Sequence, residues 1–224
     1  MHPRAWLASA LAAIFLALSL PAVSRADCGG VESLRPHSHP RGQLPPLAIG
    51  DSTMLLSGPG LAQRGYTVNA QPCREFSQAL AMLGGLNAQG RLPHMVVIAL
   101  GANGADTHDE IGAALALMCC TRKLVLVTPR QSGGVSGANA IVEHDEAGKH
   151  PGRILLLDWV RDSAAHPDWF QPDGLHLTVP GLLAFTRLLV TALPYAYPRL
   201  APGRSYLAAR ALDHSALCSR FWAW

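Results

Sequence analysis

HMVVIALG, residues 94–101, runs six apolar side chains together between a histidine and a glycine. A half-buried strand alternates apolar with polar residues, and a surface helix repeats its apolar positions every three or four. This run does neither, so it reads as a short strand covered on both faces, as in parallel sheets. Four comparable runs surround it: PLAIG (46–50), YTVNA (66–70), KLVLVTP (123–129) and RILLLDW (153–159). Helix-like stretches fall at 74–83, 108–120 and 137–148, and a long apolar helix is expected over 178–193. Thr107 and Glu110 have the spacing of a capping box for the second of these. Strand–helix alternation of this kind predicts an α/β domain. It would be a three-layer α/β/α sandwich on a doubly wound, five-stranded parallel sheet with right-handed crossovers.

Composition agrees with a single packed domain. Of 224 residues, 49% are hydrophobic and 15% charged, enough apolar material for one sizeable core. The net charge of +3 is too mild, and the arginines too scattered, for a nucleic-acid surface. The first 26 residues place Arg4 ahead of an apolar stretch from Ala5 to Leu20 and end in Ser24-Arg25-Ala26. That is the layout of a secretory signal peptide cleaved after Ala26, with an uncleaved anchor as the alternative. Secreted or periplasmic placement is therefore expected. Arg25 and Asp27 exclude a lipobox before Cys28. The five cysteines, Cys28, Cys73, Cys119, Cys120 and Cys218, suit one or two disulfides in an exported protein, without a connectivity legible in the chain. Residues 27–46 read as a Pro-rich lead-in, 47–193 as the domain, and 194–224 as an extension whose Trp222 and Trp224 pack on it. His37 and His39 in the lead-in lack a third ligand, so no metal is expected. No GxGxxG or P-loop occurs, so no nucleotide cofactor is expected either.

In such folds, sites lie beyond the carboxyl ends of the strands. GDS (50–52) follows the first strand and exposes Ser52, either as a nucleophile or as a helix cap. GANG (101–104) follows the third, where the Asn103 amide suits an oxyanion or a left-handed turn. DGLH (173–176) follows the fifth. A turn at Gly174 would fold the Asp173 carboxylate onto the His176 imidazole, orienting it toward a serine; the alternative is a capping acid and a surface histidine. QPCRE (71–75) holds Cys73, a disulfide half or a thiol nucleophile. Beside it, Arg74 is a candidate for binding a polar or anionic group or for pairing near Glu75. Asp106, His108 and Asp109 are expected to cap the following helix, and Asp158 to be structural. Trp169 and Phe170 are expected to wall the cleft or brace the histidine loop.

A strand-end serine, a Gly-x-Asn and a late Asp-x-x-His, in that order, resemble the GDSL/SGNH hydrolase superfamily over residues 47–193. The longer stretches GDSTML, VVIALGANG and DW…HPDWFQPDGLHLTVPG resemble the SGNH domains of cell-wall (peptidoglycan) O-acetyltransferases. The resemblance implies a flavodoxin-like sheet and a secreted serine esterase or acyltransferase. Its substrates would be small O-acyl, chiefly O-acetyl, esters of envelope carbohydrate, without cofactor or metal. It assigns Ser52 as nucleophile, His176 as general base and Asp173 as its orienting acid. Asn103 and the backbone N–H of Ser52 would form the oxyanion hole. Where the family supplies a glycine N–H to that hole, this chain has Pro72, which has none, so Cys73 would have to donate. Arg74 and Trp169 are candidate substrate contacts. Transferase relatives carry a membrane-spanning, acyl-supplying domain, so a membrane partner is an expectation of the transferase reading. Two other readings stay open: a broad lipase or lysophospholipase, and a carbohydrate-binding protein that kept the fold without turnover.

Overall fold

The computed structural model describes residues 28–119, 121–133 and 137–198. The expected signal peptide, Cys120, Cys218 and the two C-terminal tryptophans lie outside the described residues. A short antiparallel strand, β1 (Glu32–Leu34), opens the sheet. The five expected parallel strands follow as β2 (Leu47–Gly50), β3 (Thr67–Ala70), β4 (Met95–Ala99), β5 (Lys123–Val127) and β6 (Ile154–Leu157). Their spatial order is β1-β3-β2-β4-β5-β6. The chain therefore winds outward from β2 in both directions. The switch point lies where Gly50 pairs with both Ala70 and Ala99, and the crevice opens beyond those carboxyl ends.

The continuous apolar runs are explained by the layers. Ala48, Val97 and Val125 face one core and Ile49, Ile98 and Leu126 the other. All six are fully buried; sealing an Ile or Leu side chain from water contributes about 1.5–3 kcal/mol. Three helices cover the second face: α3 (Phe76–Ala88), α4 (His108–Leu117) and α5 (Ala138–Lys149). The first face is covered by α2 (Gly58–Gln63) and α7 (Val179–Val190). One-turn helices α1 (Ser52–Leu55) and α6 (Trp159–Asp162) continue directly from β2 and β6. Among the described residues no helix is long and apolar enough to cross a membrane.

Three local expectations need correction. The lead-in is more than a tether, because β1 pairs with β3 through Glu32–Ala70, Ser33–Asn69 and Leu34–Val68 and shields that sheet edge. A three-residue strand has no period to read; the exposed edge selects it. The 74–83 helix begins instead at Phe76, where Glu75 and Gln78 form a capping box, and continues through Gly84 and Gly85 to Ala88. Each glycine costs a helix about 1 kcal/mol, and the buried stripe of Phe76, Ala79 and Leu83 outweighs that. At α4 the cap is Thr107, whose hydroxyl accepts from the Glu110 N–H. Asp106 turns inward, 4% exposed, and His108 pairs with Glu146 across to α5 at 2.7 Å.

Candidate active site

β2 ends in Gly50, and the next residue decides what Ser52 does. Asp51, 1% exposed, caps α1: its Oδ1 accepts from the Thr53 N–H at 2.9 Å and from the Thr53 hydroxyl at 2.7 Å. Because Asp51 fills the cap, Ser52 is left as the first helical residue with its hydroxyl directed outward. The Ser52 Oγ lies 3.1 Å from His176 Nε2. Only Gly50 permits this tight exit, since a Cβ there would lie 2.5 Å from the Met54 Cβ.

Asp173 and His176 meet by the route a turn at Gly174 allows. Gly174 has φ +69, and the carboxylate folds back. Asp173 Oδ1 accepts from the Leu175 and His176 N–H groups at 2.9 and 3.0 Å, while Oδ2 sits 2.6 Å from His176 Nδ1. Partial burial raises the Asp173 pKa, but the His176 hydrogen bond and the two backbone donors outweigh it, holding the carboxyl below its ordinary range. Around this turn the backbone is tied on several sides. Gly133 N–H donates to the Asp173 carbonyl at 2.8 Å, and Gln171 N–H to the His176 carbonyl at 2.7 Å. Arg130 Nε donates to the Gly174 carbonyl at 3.3 Å, and its guanidinium lies 4.1 Å over the Phe170 ring. Thr178, the cap of α7, accepts from the Gly181 N–H while its hydroxyl donates to the Asp168 carbonyl at 2.7 Å.

Asn103 is exposed on the turn after β4, and its Nδ2 donates to Asp51 Oδ2 at 3.1 Å. One N–H of that amide is thereby committed, leaving the second. The turn itself is shaped by Asn139, which no sequence motif marks. Its Nδ2 donates to the Gly101 and Gly104 carbonyls, both at 2.7 Å, and its Oδ1 accepts from the Asp106 N–H at 3.0 Å. A buried asparagine at the start of a helix gives no local signal of a partner 35 residues away. Gly101 (φ +101) is the only residue type that fits there, because a Cβ would meet Asp106 Oδ2 at 2.3 Å.

Electrostatics divide the site. Burial raises the Asp51 pKa, against its Thr53 hydrogen bonds and the nearby His176. Deeper in, burial pushes Asp106 up to about 7, helped by Glu110 and Asp51. Glu143, fully buried on α5, is raised well above the usual range by burial and by Asp106 and Asp158. Asp158 caps α6, accepting from the Arg161 N–H, and pairs with His144 at 3.1 Å.

Two candidate substrate contacts are placed elsewhere. Arg74 is 2% exposed, and its NH1 donates to the Gly50 and Asn69 carbonyls while NH2 donates to Asn69 Oδ1. Gln71 Oε1 is a fourth acceptor at 3.4 Å, and with four acceptors inside Arg74 holds the β2 and β3 ends together. Trp169 is sandwiched, stacked on His166 at 3.8 Å and on Trp159 at 5.5 Å, so both ring faces are taken. It braces the histidine loop. Cys73 forms a disulfide with Cys28 and has φ +57. A bridged sulfur is no nucleophile. Beside Asp51 and Thr53, a pocket is walled by Ala99, Val127, Pro129, Trp159, Leu175 and Phe185. Among the described residues no group of three or more His, Cys, Asp or Glu side chains is arranged to hold a metal.

No protein-family model matches the chain. It is similar to YrhL of Bacillus subtilis (strain 168), a candidate peptidoglycan O-acetyltransferase, at 32% identity over 151 residues, 66% of this chain and 23% of YrhL. Among solved structures it resembles the C-terminal catalytic domain of Streptococcus pneumoniae peptidoglycan O-acetyltransferase A. That match has a TM-score of 0.56 and 24% identity, covering 69% of this chain and 92% of that one. A Slackia heliotrinireducens protein described as an SGNH hydrolase matches with a TM-score of 0.53 and 17% identity, over 68% of this chain and 100% of that one. The chain spans about a quarter of the length of the curated relatives it matches.

Proposed function

We propose that the chain is a serine esterase or O-acyltransferase of the SGNH hydrolase superfamily, a reading supported by its 32% identity to YrhL and by the fold it shares with the Slackia heliotrinireducens protein. Its substrates are small O-acyl esters, chiefly O-acetyl groups on cell-envelope carbohydrate. The observation that carries this reading is the unbroken relay from Ser52 Oγ through the His176 ring to Asp173, at 3.1 and 2.6 Å. Hydrogen-bond reach between nucleophile and base, with the base oriented by a third group, is what activation of a serine requires.

In the proposed reaction, His176 Nε2 takes the Ser52 proton as Oγ attacks the acyl carbonyl. Asp173 holds Nδ1–H and stabilises the imidazolium. The tetrahedral oxyanion is met by the second N–H of Asn103 and the backbone N–H groups of Ser52 and Cys73. Collapse expels the alcohol, which takes the proton from His176, and leaves an acyl-enzyme. Water then gives hydrolysis, or a sugar hydroxyl gives transfer, with His176 activating either. The apolar N-terminal stretch and the Cys28–Cys73 disulfide support an exported enzyme. If the reaction is transfer, an acyl donor held at the membrane is its expected partner.

The test is covalent labelling of Ser52 by an organophosphonate together with p-nitrophenyl acetate turnover. Ser52→Ala should abolish the label and lower kcat by roughly 10⁴-fold or more. A wild-type protein that neither labels nor turns over ester overturns the reading. Adding chitooligosaccharides and measuring released acetate against acetylated sugar separates hydrolysis from transfer.

A further inference from the structure

We propose that Cys28 is a positioning residue for catalysis: its disulfide locks Cys73 in the left-handed conformation that aims a backbone N–H at the oxyanion. The inference rests on the serine-esterase reading above and adds to it what makes one of the donors competent.

Cys73 has φ +57, in the region that glycine enters freely and a residue with a Cβ disfavours. Cys73 sits in a loop that touches both other carriers of the oxyanion hole. Gln71 N–H donates to the Gly50 carbonyl at 3.1 Å and Arg74 NH1 to the same oxygen at 3.1 Å, two residues before Ser52. On the other side, Glu75 packs against the Asn103 turn so closely that a Cβ on Gly104 would lie 3.0 Å from its Cγ. Pro72 has no N–H to offer, and the Glu75 N–H is already given to Gln78 Oε1 at 2.9 Å. That leaves the Cys73 and Arg74 N–H groups as the loop's backbone donors, and of the two it is Cys73 that stands in the left-handed conformation.

A cysteine in this conformation needs something to hold it, and the bridge supplies it. Cys28 is itself anchored, because four residues later Glu32 pairs with Ala70, the last residue of the strand that leads into the Cys73 loop. The disulfide thus closes a small spatial ring on one sheet edge although 45 residues separate its halves. Covalent restraint from outside the loop takes the place of a glycine's freedom within it. That also gives the antiparallel lead-in strand a task beyond covering an edge.

The deciding experiment compares wild type, Cys28→Ser/Cys73→Ser and Cys28→Ser/Cys73→Gly for p-nitrophenyl acetate kinetics, organophosphonate labelling and thermal unfolding. Both double variants lose the same cross-link, so they should melt within a few degrees of each other. The serine version should lose about 10²–10³-fold in kcat, with KM within about twofold of wild type, as for loss of one oxyanion donor. The glycine version, free to adopt φ +57, should recover to within about threefold of wild type. Equal kcat in the two double variants, or wild-type kcat in the serine version, overturns the proposal. If the variants do not fold, a trialkylphosphine can be applied to wild type under conditions where its circular dichroism stays native. A fall in kcat that returns on reoxidation supports the proposal, and an unchanged kcat overturns it. Failure of wild type to label or turn over strikes the esterase reading itself. An active wild type with an indifferent disulfide strikes only this inference.

Discussion

The two halves of the relay are built in opposite ways. Ser52 stands on the sheet: it follows a buried strand, its neighbour Asp51 is 1% exposed, and Gly50 is locked between two parallel partners. Asp173 and His176 stand half exposed, at 40% and 41%, on the loop that leads into α7. Ser52 is placed by core packing. His176 is placed by a mesh of backbone hydrogen bonds from Gly133, Gln171 and Leu175, and by the Arg130 and Trp169 braces. A packed strand end resists small perturbations. An exposed loop depends on each tie, so changes there should act on rate before they act on folding.

The largest expected effect isolates the loop's charge. Asp173→Asn keeps the fold of the turn but cannot stabilise an imidazolium, and it should cost on the order of 10²–10⁴ in kcat with little change in melting temperature. A loss of less than tenfold would mean that the exposed carboxylate is not the orienting acid. Next comes the seam where α7 meets the loop. A Cβ on Gly181 would lie 2.0 Å from the Trp169 carbonyl oxygen, so Gly181→Ala must push the loop outward. The expected cost is about 1–3 kcal/mol in denaturant unfolding, accompanied by lost activity as His176 moves. Unchanged stability would show that the α7 start yields freely.

On the sheet side, Asn139→Ala removes three hydrogen bonds and leaves the Gly101 and Gly104 carbonyls unsatisfied. It should destabilise by about 1–3 kcal/mol and lower kcat through the Asn103 turn while the apparent substrate affinity holds. The smallest effect is a slope. Folding lifts Asp106 from an ordinary 3.8 to about 7, and it raises Glu143 as well. Between those values the native state keeps protons that the unfolded chain has released. This favours the native state at low pH and is lost as pH rises from about 4 to about 7, by up to about 1.4 kcal/mol per pH unit for each proton retained. Melting temperature should therefore fall over that window. Glu143→Gln should flatten the fall, and equal slopes for variant and wild type would contradict the burial argument.

How legible the site was depends on the range over which each signal acts. Ser52, Asn103, Asp173 and His176 lie at the ends of strands or in a short turn, and strand ends can be read from apolar runs alone. Their convergence needed only the rule that parallel strands gather their carboxyl ends at one edge. Arg74 turns inward, and of the two roles open to Trp169 the structure fits the brace, because a polar or aromatic side chain beside a motif does not say which way it points. Arg74 meets four backbone and side-chain acceptors inside, and Trp169 meets two rings. Asn139 carries no local signal because a buried polar group takes its meaning from partners far along the chain.

From the sequence by itself came the five parallel strands, their alternation with helices, the Thr107–Glu110 cap and the order of the polar motifs. All of these are properties of neighbouring residues, set by side-chain period and backbone preference. Tertiary structure alone decided that the lead-in joins the sheet, that Cys28 meets Cys73, and which carboxyls are buried without partners. Those outcomes depend on which surfaces are left uncovered once the layers pack. No local pattern encodes that, because the energy that settles it is shared among segments distant in the chain.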